Sequence, residues 1–194
     1  MRLTFLVLSV ALCSAPVLGQ KCELTLEQSP ELRGFKLGMT TAQAQKQLAG
    51  VAFKKPNQLG KQFVYFAGSK LKSRGSDDTR SVIVGSLTFL DGRLMMVTIN
   101  YDDSVKWEGI DEFVFKASQS LGLPPAWPMK KGIEDDGEYG FAWRELACVG
   151  FTIKATFREE PAYMALELKD ARYTDLLYER QRELEERKKA RFKP

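Results

Sequence analysis

The chain has 194 residues, of which 44% are hydrophobic and 28% are charged, so it can form one domain with an ordinary core. Its formal net charge of +4 is too small to indicate a nucleic-acid partner, which usually requires clustered lysines and arginines. The chain contains no histidine. This excludes Ser-His-Asp and Cys-His catalysis and every zinc site that depends on histidine ligands.

The first residues have the pattern of a secretory signal peptide. Arg2 supplies a positive start, residues 3–12 (LTFLVLSVAL) are apolar, and residues 13–19 are more polar and contain a proline. An apolar stretch of this length rises only about 15 Å as a helix, half of the hydrocarbon thickness of a bilayer. We therefore expect cleavage near Gly19, a periplasmic or secreted mature protein, and no stable membrane span in that mature form.

Cleavage at that point removes Cys13 and leaves Cys22 and Cys148. Lipid attachment at Cys13 is an alternative, but Leu12 stands before it where a small residue is expected. In an oxidising compartment, the two remaining cysteines most simply form one bond. We predict a Cys22–Cys148 disulfide, with two separate buried thiols as the alternative.

Helix and strand signals begin soon after the first of these cysteines. Thr40 and Gln43 have the spacing of a capping box, which predicts a helix from Thr41 onward. Residues 62–67 (QFVYFA) are aromatic and β-branched, as is typical of a strand. The polar residues 69–81 predict an exposed loop.

Residues 82–101 have the pattern of a β-hairpin. A two-residue Asp91-Gly92 turn would place Leu87 on the same face as polar residues such as Thr98. A three-residue loop that begins at Leu90, with Gly92 in the left-handed region, gives a more consistent apolar face. That register predicts one shared face, made of Ile83, Leu87, Phe89, Met95, Val97, Ile99 and Tyr101.

The second half repeats the order of a helix followed by strands. Apolar residues recur with helical spacing from Ile110 to Leu121, and Gly122 follows. Three strands are predicted near residues 141–149, 151–157 and 162–168, and a helix rich in Glu, Lys and Arg is predicted from Thr174.

These elements predict an α+β fold, with antiparallel sheet and helices on one face. The helix-then-strands unit has a candidate second copy, and a charged C-terminal helix completes the chain. The expected division is a signal peptide at 1–19, an α+β domain at 20–172 and the charged helix at 173–194.

The run Gly34–Thr41 (GFKLGMTT), which opens a helix before antiparallel strands, resembles the SmpA/OmlA (BamE-like) envelope proteins. It is also similar to the fold of the β-lactamase-inhibitor-protein type, built from helix-then-sheet units. Those families bind other proteins in the bacterial envelope or outside the cell. The resemblance therefore implies a binding module. The chain departs from the BamE-like pattern because it lacks a good lipidation motif and has a longer, charged C-terminal helix.

Two tryptophans beside the second helix, Trp107 and Trp127, are candidate partner-binding residues. An exposed indole there would anchor a protein partner or stack on a sugar, whereas burial in the core is the alternative. Three acids, Asp135, Asp136 and Glu138, lie in a glycine-containing stretch. They lack the ligand spacing of an EF-hand loop, which favours a solvated turn over a calcium site.

Two functions remain open from the sequence. The first is an exported non-catalytic module that binds another envelope or secreted protein and needs no cofactor; it predicts a broad exposed apolar patch. The second is a secreted carbohydrate-binding domain or carboxylate-dependent hydrolase. It predicts one groove in which Asp102, Asp135 and Trp127 converge.

Overall fold

The computed structural model describes residues 21–72, 81–102, 107–125, 127–128, 142–158 and 163–191. The predicted signal peptide lies outside these ranges. Within them, the α-helices and strands in chain order are α1 (Thr41–Gln45), β1 (Lys61–Ala67), β2 (Val82–Leu90), β3 (Arg93–Tyr101), α2 (Ile110–Leu121), β4 (Ala142–Ala147), β5 (Phe151–Arg158), β6 (Tyr163–Asp170) and α3 (Tyr173–Arg191).

The strands form one antiparallel sheet in the order β1-β2-β3-β6-β5-β4. Each group of three consecutive strands is a meander, and the two meanders meet where β3 pairs with β6, from Met96↔Lys169 to Tyr101↔Met164. α1 precedes the first meander and α2 precedes the second. The predicted α+β class is confirmed, and the helix-then-strands order occurs twice.

Local signals in the sequence explain where α1 begins and where α2 ends. The Thr40 amide donates to Gln43 Oε1 (2.8 Å) and the Gln43 amide donates to Thr40 Oγ1 (3.2 Å), which is the predicted capping box. Gly122, with φ +65°, ends α2 in the left-handed conformation. Phe113 and Val114 turn the apolar side of α2 into the core.

The main core lies between one sheet face and the layer that holds α1, α2 and the segment around Phe35. Strand residues alternate between the two faces of the sheet, and both meanders direct one set of their side chains into this core. The largest fully buried apolar side chains are Phe35, Phe89, Phe151, Leu32, Leu87, Leu94, Ile99, Leu146, Ile153, Leu168 and Val97.

The turn between β2 and β3 differs from the prediction. Asp91 (φ +50°) and Gly92 (φ +74°) form a two-residue turn of type I′ geometry. The prediction of a three-residue loop is therefore wrong. Thr88 pairs with Met96 while Phe89 pairs with Leu94, which leaves Met95 as the extra residue of a β-bulge. Because of this extra residue, the buried apolar side chains of β3 beyond Met95 lie on the same face as Leu87 and Phe89 of β2. With a two-residue turn and no bulge, they would lie on the opposite face.

Two members of the predicted apolar face lie elsewhere. Ile83 is the extra residue at a second irregularity, between the Val82↔Tyr101 and Val84↔Asn100 pairs, and its side chain is 53% exposed. Met95 is buried, but in a small second cluster with Leu90 and Tyr173. Both shifts follow from bulges, which interrupt the two-residue alternation on which the prediction relied.

α3 is attached to the sheet by its first two turns. Tyr173 is buried against Leu90, and Leu176 and Leu177 pack on the same cluster. Arg180 Nη2 lies 2.8 Å from Asp91 Oδ2 in the β2–β3 turn. The remainder of the helix is mostly exposed, as its charged sequence predicts.

The structure contains the predicted Cys22–Cys148 disulfide. Cys22 is buried near the start of the described chain, and Cys148 follows β4, where its amide donates to the Phe151 carbonyl (2.9 Å). The adjacent Gly150 has φ +92° and lies against Leu26. The bond therefore fastens the amino-terminal segment to the second meander.

A bilayer-spanning helix would have to be both long and apolar, and no helix among the described residues meets that description.

Candidate functional site

The sheet face directed away from the main core is the first candidate site, and we call it the open face. On β1, Gln62, Val64 and Phe66 are buried, whereas the side chains between them point outward. On β5, buried residues from Phe151 to Phe157 alternate with partly exposed polar ones. The open face includes Phe63, Tyr65, Ser86, Thr98, Asn100, Trp143, Glu145, Lys154, Thr156, Tyr163 and Glu167.

Aromatic residues lie at both edges of the open face. Phe63 is 52% exposed and Tyr65 is 62% exposed on the edge strand β1. On the opposite edge strand, β4, the Lys154 ammonium lies over the Trp143 ring, 5.0 Å from its centroid. Since neighbouring strands lie about 4.8 Å apart, the two edges are separated by about 24 Å.

Polar and charged side chains occupy the strands between these edges. Lys154 is the register partner of Glu145 on β4 and of Glu167 on β6. Opposite charges on neighbouring strands attract one another, so these three residues form a mixed-charge band that runs from the β4 edge to β6. Tyr163 donates its hydroxyl hydrogen to Asn100 Oδ1 (3.1 Å) across the β3–β6 junction.

The environment of Tyr163 makes the stability of the folded protein depend on pH. Partial burial raises the pKa of its phenol above the usual 10.0, and the nearby Glu167 carboxylate acts in the same direction. The folded protein therefore holds this proton more tightly than the unfolded chain does. Its contribution to stability is complete below about pH 10 and is lost as the pH rises through the folded-state pKa.

We expect the difference in unfolding free energy between the wild type and Tyr163→Phe to shrink between pH 9 and pH 12. Urea denaturation at several pH values measures it, because groups common to both proteins cancel in the difference. A difference that stays constant over this interval would contradict the assignment.

The second candidate site is a cleft of about 400 Å³ beside α2, which we call the α2 cleft. Its walls come from the segment before Phe35, the end of β3 and the inner side of α2. Its most informative lining residues are Arg33, Tyr101, Asp102, Trp107, Phe113 and Lys116.

Aromatic contacts hold the walls of the α2 cleft in place. The Trp107 ring centroid lies 5.6 Å from that of Phe113, and the Tyr101 centroid lies 6.0 Å from Phe113 in an edge-to-face arrangement. The Arg33 guanidinium carbon lies 5.3 Å from the Tyr101 centroid. Arg33 Nη2 also donates to Ser81 Oγ (3.4 Å), so the cleft combines packed rings with a fixed cation.

Arg33 reaches the cleft from a tight turn. The Leu32 and Phe35 backbones exchange hydrogen bonds of 2.9 and 3.1 Å across Arg33 (φ +53°) and Gly34 (φ +88°). Glycine adopts positive φ at no steric cost, but arginine does not. The turn therefore places a disfavoured residue where it holds a guanidinium against Tyr101.

The predicted site residues divide between two environments. Trp107 is partly buried and lines the α2 cleft together with Asp102. Trp127 is only 5% exposed, and its Nε1 donates to the Pro124 carbonyl (2.9 Å), so its ring belongs to the core and does not offer the exposed surface that stacking requires. The acids Asp135, Asp136 and Glu138 lie outside the described residues. Within the described ranges, no three His, Cys, Asp or Glu side chains are grouped as a metal site.

Four residues of the two candidate sites were not predicted from the sequence: Arg33, Phe63, Tyr65 and Trp143. A signal for Phe63 and Tyr65 is present in the run QFVYFA, where aromatic residues on both parities cannot all be buried by one core. A signal for Arg33 is the Arg-Gly pair between Leu32 and the apolar Phe35, which is compatible with a two-residue turn.

Comparison with family models, curated proteins and solved structures finds no match to this chain. The resemblance of residues 34–41 to the BamE-like and β-lactamase-inhibitor-protein-like families stays a prediction.

Proposed function

We propose that this protein is an exported, non-catalytic module that binds another envelope or secreted protein through the open face. The observation that supports the proposal most directly is the exposure of Phe63 and Tyr65 on a strand whose other side is packed into the core. Grouped exposed aromatic residues favour a protein-binding surface, because such residues supply much of the binding energy at interfaces.

The arrangement of the open face is also suited to an interface. Aromatic side chains at its edges can be desolvated by a partner, whereas the band around Lys154, Glu145 and Glu167 supplies charges of both signs. Interfaces combine apolar anchors with polar groups that set orientation. We therefore expect a partner whose surface pairs apolar anchors with interspersed acidic and basic residues.

Export is supported by two independent features. Residues 3–12 have the pattern of a signal peptide. The Cys22–Cys148 bond is of a kind that persists in oxidising compartments and is rare in the cytosol. We infer that the mature protein acts in the periplasm or outside the cell.

Site-specific photo-crosslinking in the producing cell tests the proposed surface. A photoreactive phenylalanine analogue at position 63 or 65 is expected to form an adduct with one envelope or secreted protein, identified by mass spectrometry. Tyr178 is the matched control position, because it is 69% exposed but lies on α3. Adducts of equal yield at position 178, or none at positions 63 and 65, would contradict the proposal.

The double variant Phe63→Ser/Tyr65→Ser is expected to weaken binding of the cross-linked partner at least tenfold, since interface aromatic residues often contribute more than about 1 kcal/mol each. Tyr178→Ser should leave the affinity unchanged. Both variants should melt within a few degrees of the wild type, because exposed side chains contribute little to folding. Titration calorimetry with the purified partner measures the affinities.

A further inference from the structure

We propose that the α2 cleft binds a neutral sugar ring, at a site separate from the open face. The cleft lies on the core side of the sheet, where Leu166 forms part of its floor, whereas the open face points the other way. The two sites can therefore be occupied and disrupted independently. Failure of one proposal would leave the other standing.

The dimensions of the cleft are suited to a small ligand. Its volume of about 400 Å³ is within the range of small-molecule sites, which is about 300–1,000 Å³. Its walls combine aromatic rings with a few polar groups, as such sites usually do. The packed contacts among Trp107, Phe113 and Tyr101 keep these walls in place before a ligand arrives.

The charges around the cleft favour a neutral ligand. Among the lining residues that the structure describes, Glu31 and Asp102 are acidic and Arg33 and Lys116 are basic, so these four formal charges cancel. An anion would be attracted by the two basic residues and repelled by the two acidic ones. A cation would be attracted by the acidic residues and repelled by the basic ones. A polyol differs, because each hydroxyl both donates and accepts and can bond to a carboxylate or to a cationic N–H group.

The apolar side of a sugar ring needs an aromatic surface, and Trp107 supplies it. The indole is partly exposed at the cleft and is held by Phe113. Tyr101 is less suitable, because the Arg33 guanidinium already lies over its ring at 5.3 Å. Stacking on Trp107 would bring the ring hydroxyls toward the polar groups of the cleft, among which are Asp102 and Lys116.

The backbone conformation of Arg33 supports the proposal independently of the charges and the aromatic rings. A non-glycine residue at φ +53° is strained, and such strain is concentrated at functional sites. Asparagine or glycine is the preferred residue at this position of a type I′ turn. The presence of arginine here, at a cost to the backbone, is explained if its guanidinium orients the ligand.

Saturation-transfer NMR and tryptophan fluorescence on the purified protein test the proposal. The probes are neutral linear oligomers of glucose and of N-acetylglucosamine, with glucuronic acid and glucosamine as charged comparators. We expect saturation transfer to at least one neutral oligomer, a dissociation constant below 10 mM, and weaker binding of both charged sugars. Transfer to none of the neutral oligomers, or stronger binding of a charged sugar, would overturn the proposal.

Two variants locate the site. Trp107→Ala is expected to weaken binding at least tenfold, whereas Trp143→Ala, which removes a tryptophan from the open face, should leave it unchanged. Arg33→Asn is expected to weaken binding at least fivefold while keeping the fold, because asparagine tolerates the left-handed turn, and it serves if Trp107→Ala does not fold. Equal affinity in Arg33→Asn and the wild type would overturn the assignment to this cleft.

Discussion

Reduction of the Cys22–Cys148 disulfide is expected to lower the free energy of unfolding by about 4–5 kcal/mol. The two cysteines are 126 residues apart in sequence, so the bond closes a long loop. In the chain-entropy model, a long loop restricts the unfolded state strongly. The expected loss is large beside the total stability of a domain, which is about 5–15 kcal/mol.

The native state gives a second reason for a large effect. The bond joins the segment that carries Leu26 to the β4–β5 turn, where Gly150 approaches Leu26 closely. Without the bond, this segment is attached through weaker contacts, such as those of Leu24 and Leu26 with the core. We therefore expect residues 21–32 to exchange their amide hydrogens faster after reduction.

Urea denaturation with and without dithiothreitol measures the change. The double variant Cys22→Ala/Cys148→Ala is the control, because it should match the reduced wild type and show no response to the reductant. Mass spectrometry of an unreduced digest should recover the two cysteine peptides as one species. Two titratable thiols in the native protein, or a loss of stability below about 1 kcal/mol on reduction, would contradict the prediction.

Much of the fold could be predicted from local signals. The Thr40–Gln43 capping box, the helical spacing of residues 110–121 and the glycine that ends α2 act within a few residues, and each is present in the structure. These local features depend little on the rest of the molecule, which is why sequence alone indicates them. The Cys22–Cys148 bond joins residues 126 apart and was predicted for a different reason, because these are the two cysteines that follow the predicted cleavage point.

The hairpin shows where sequence reasoning fails. With an unbroken ladder, a two-residue turn mixes polar and apolar residues on one face, which favours the three-residue loop. The ladder is broken, however, because bulges at Met95 and Ile83 shift the faces. A bulge is favoured by packing against distant parts of the chain, here Tyr173 of α3 on the cluster that holds Met95. Nothing in residues 82–101 reveals that contact.

The candidate sites were predicted only in part. Trp107 was singled out and lines the α2 cleft, whereas Trp127 was singled out and is buried. Both tryptophans lie beside α2 in the sequence, so the sequence does not distinguish them. Only tertiary packing determines that one lines the cleft and the other is buried. The cleft also needs Arg33, which lies far from Trp107 in sequence and reaches it through folding.

Substitution of Gly85 by alanine is expected to lower the free energy of unfolding by about 2–3 kcal/mol, the usual range for overpacking a dense core. Gly85 is the register partner of Phe66, whose ring lies over it. A methyl group at Gly85 would lie 2.7 Å from Phe66 Cε2 and 2.8 Å from Cε1, with Cζ closer still. Real side chains do not approach this closely, so the ring has to move.

The ring of Phe66 has little room to move. It is buried and packs against Phe35, with ring centroids 5.6 Å apart, and Phe35 is itself fully buried. Displacing Phe66 would therefore disturb the centre of the core. Ser86→Ala, one residue along the strand and directed to the open face, is the matched control and should change stability by less than about 0.5 kcal/mol.

A double-mutant cycle separates this clash from other effects of losing a glycine. Phe66→Leu alone should destabilise the protein because it leaves space in the core. Combined with Gly85→Ala, the smaller side chain leaves room for the new methyl group, so the double variant should be more stable than the sum of the single effects by at least about 1 kcal/mol. Urea denaturation of the four proteins gives the coupling energy. Strict additivity would show that the Phe66 ring does not decide the cost at Gly85, and the packing described for the first meander would then be incorrect.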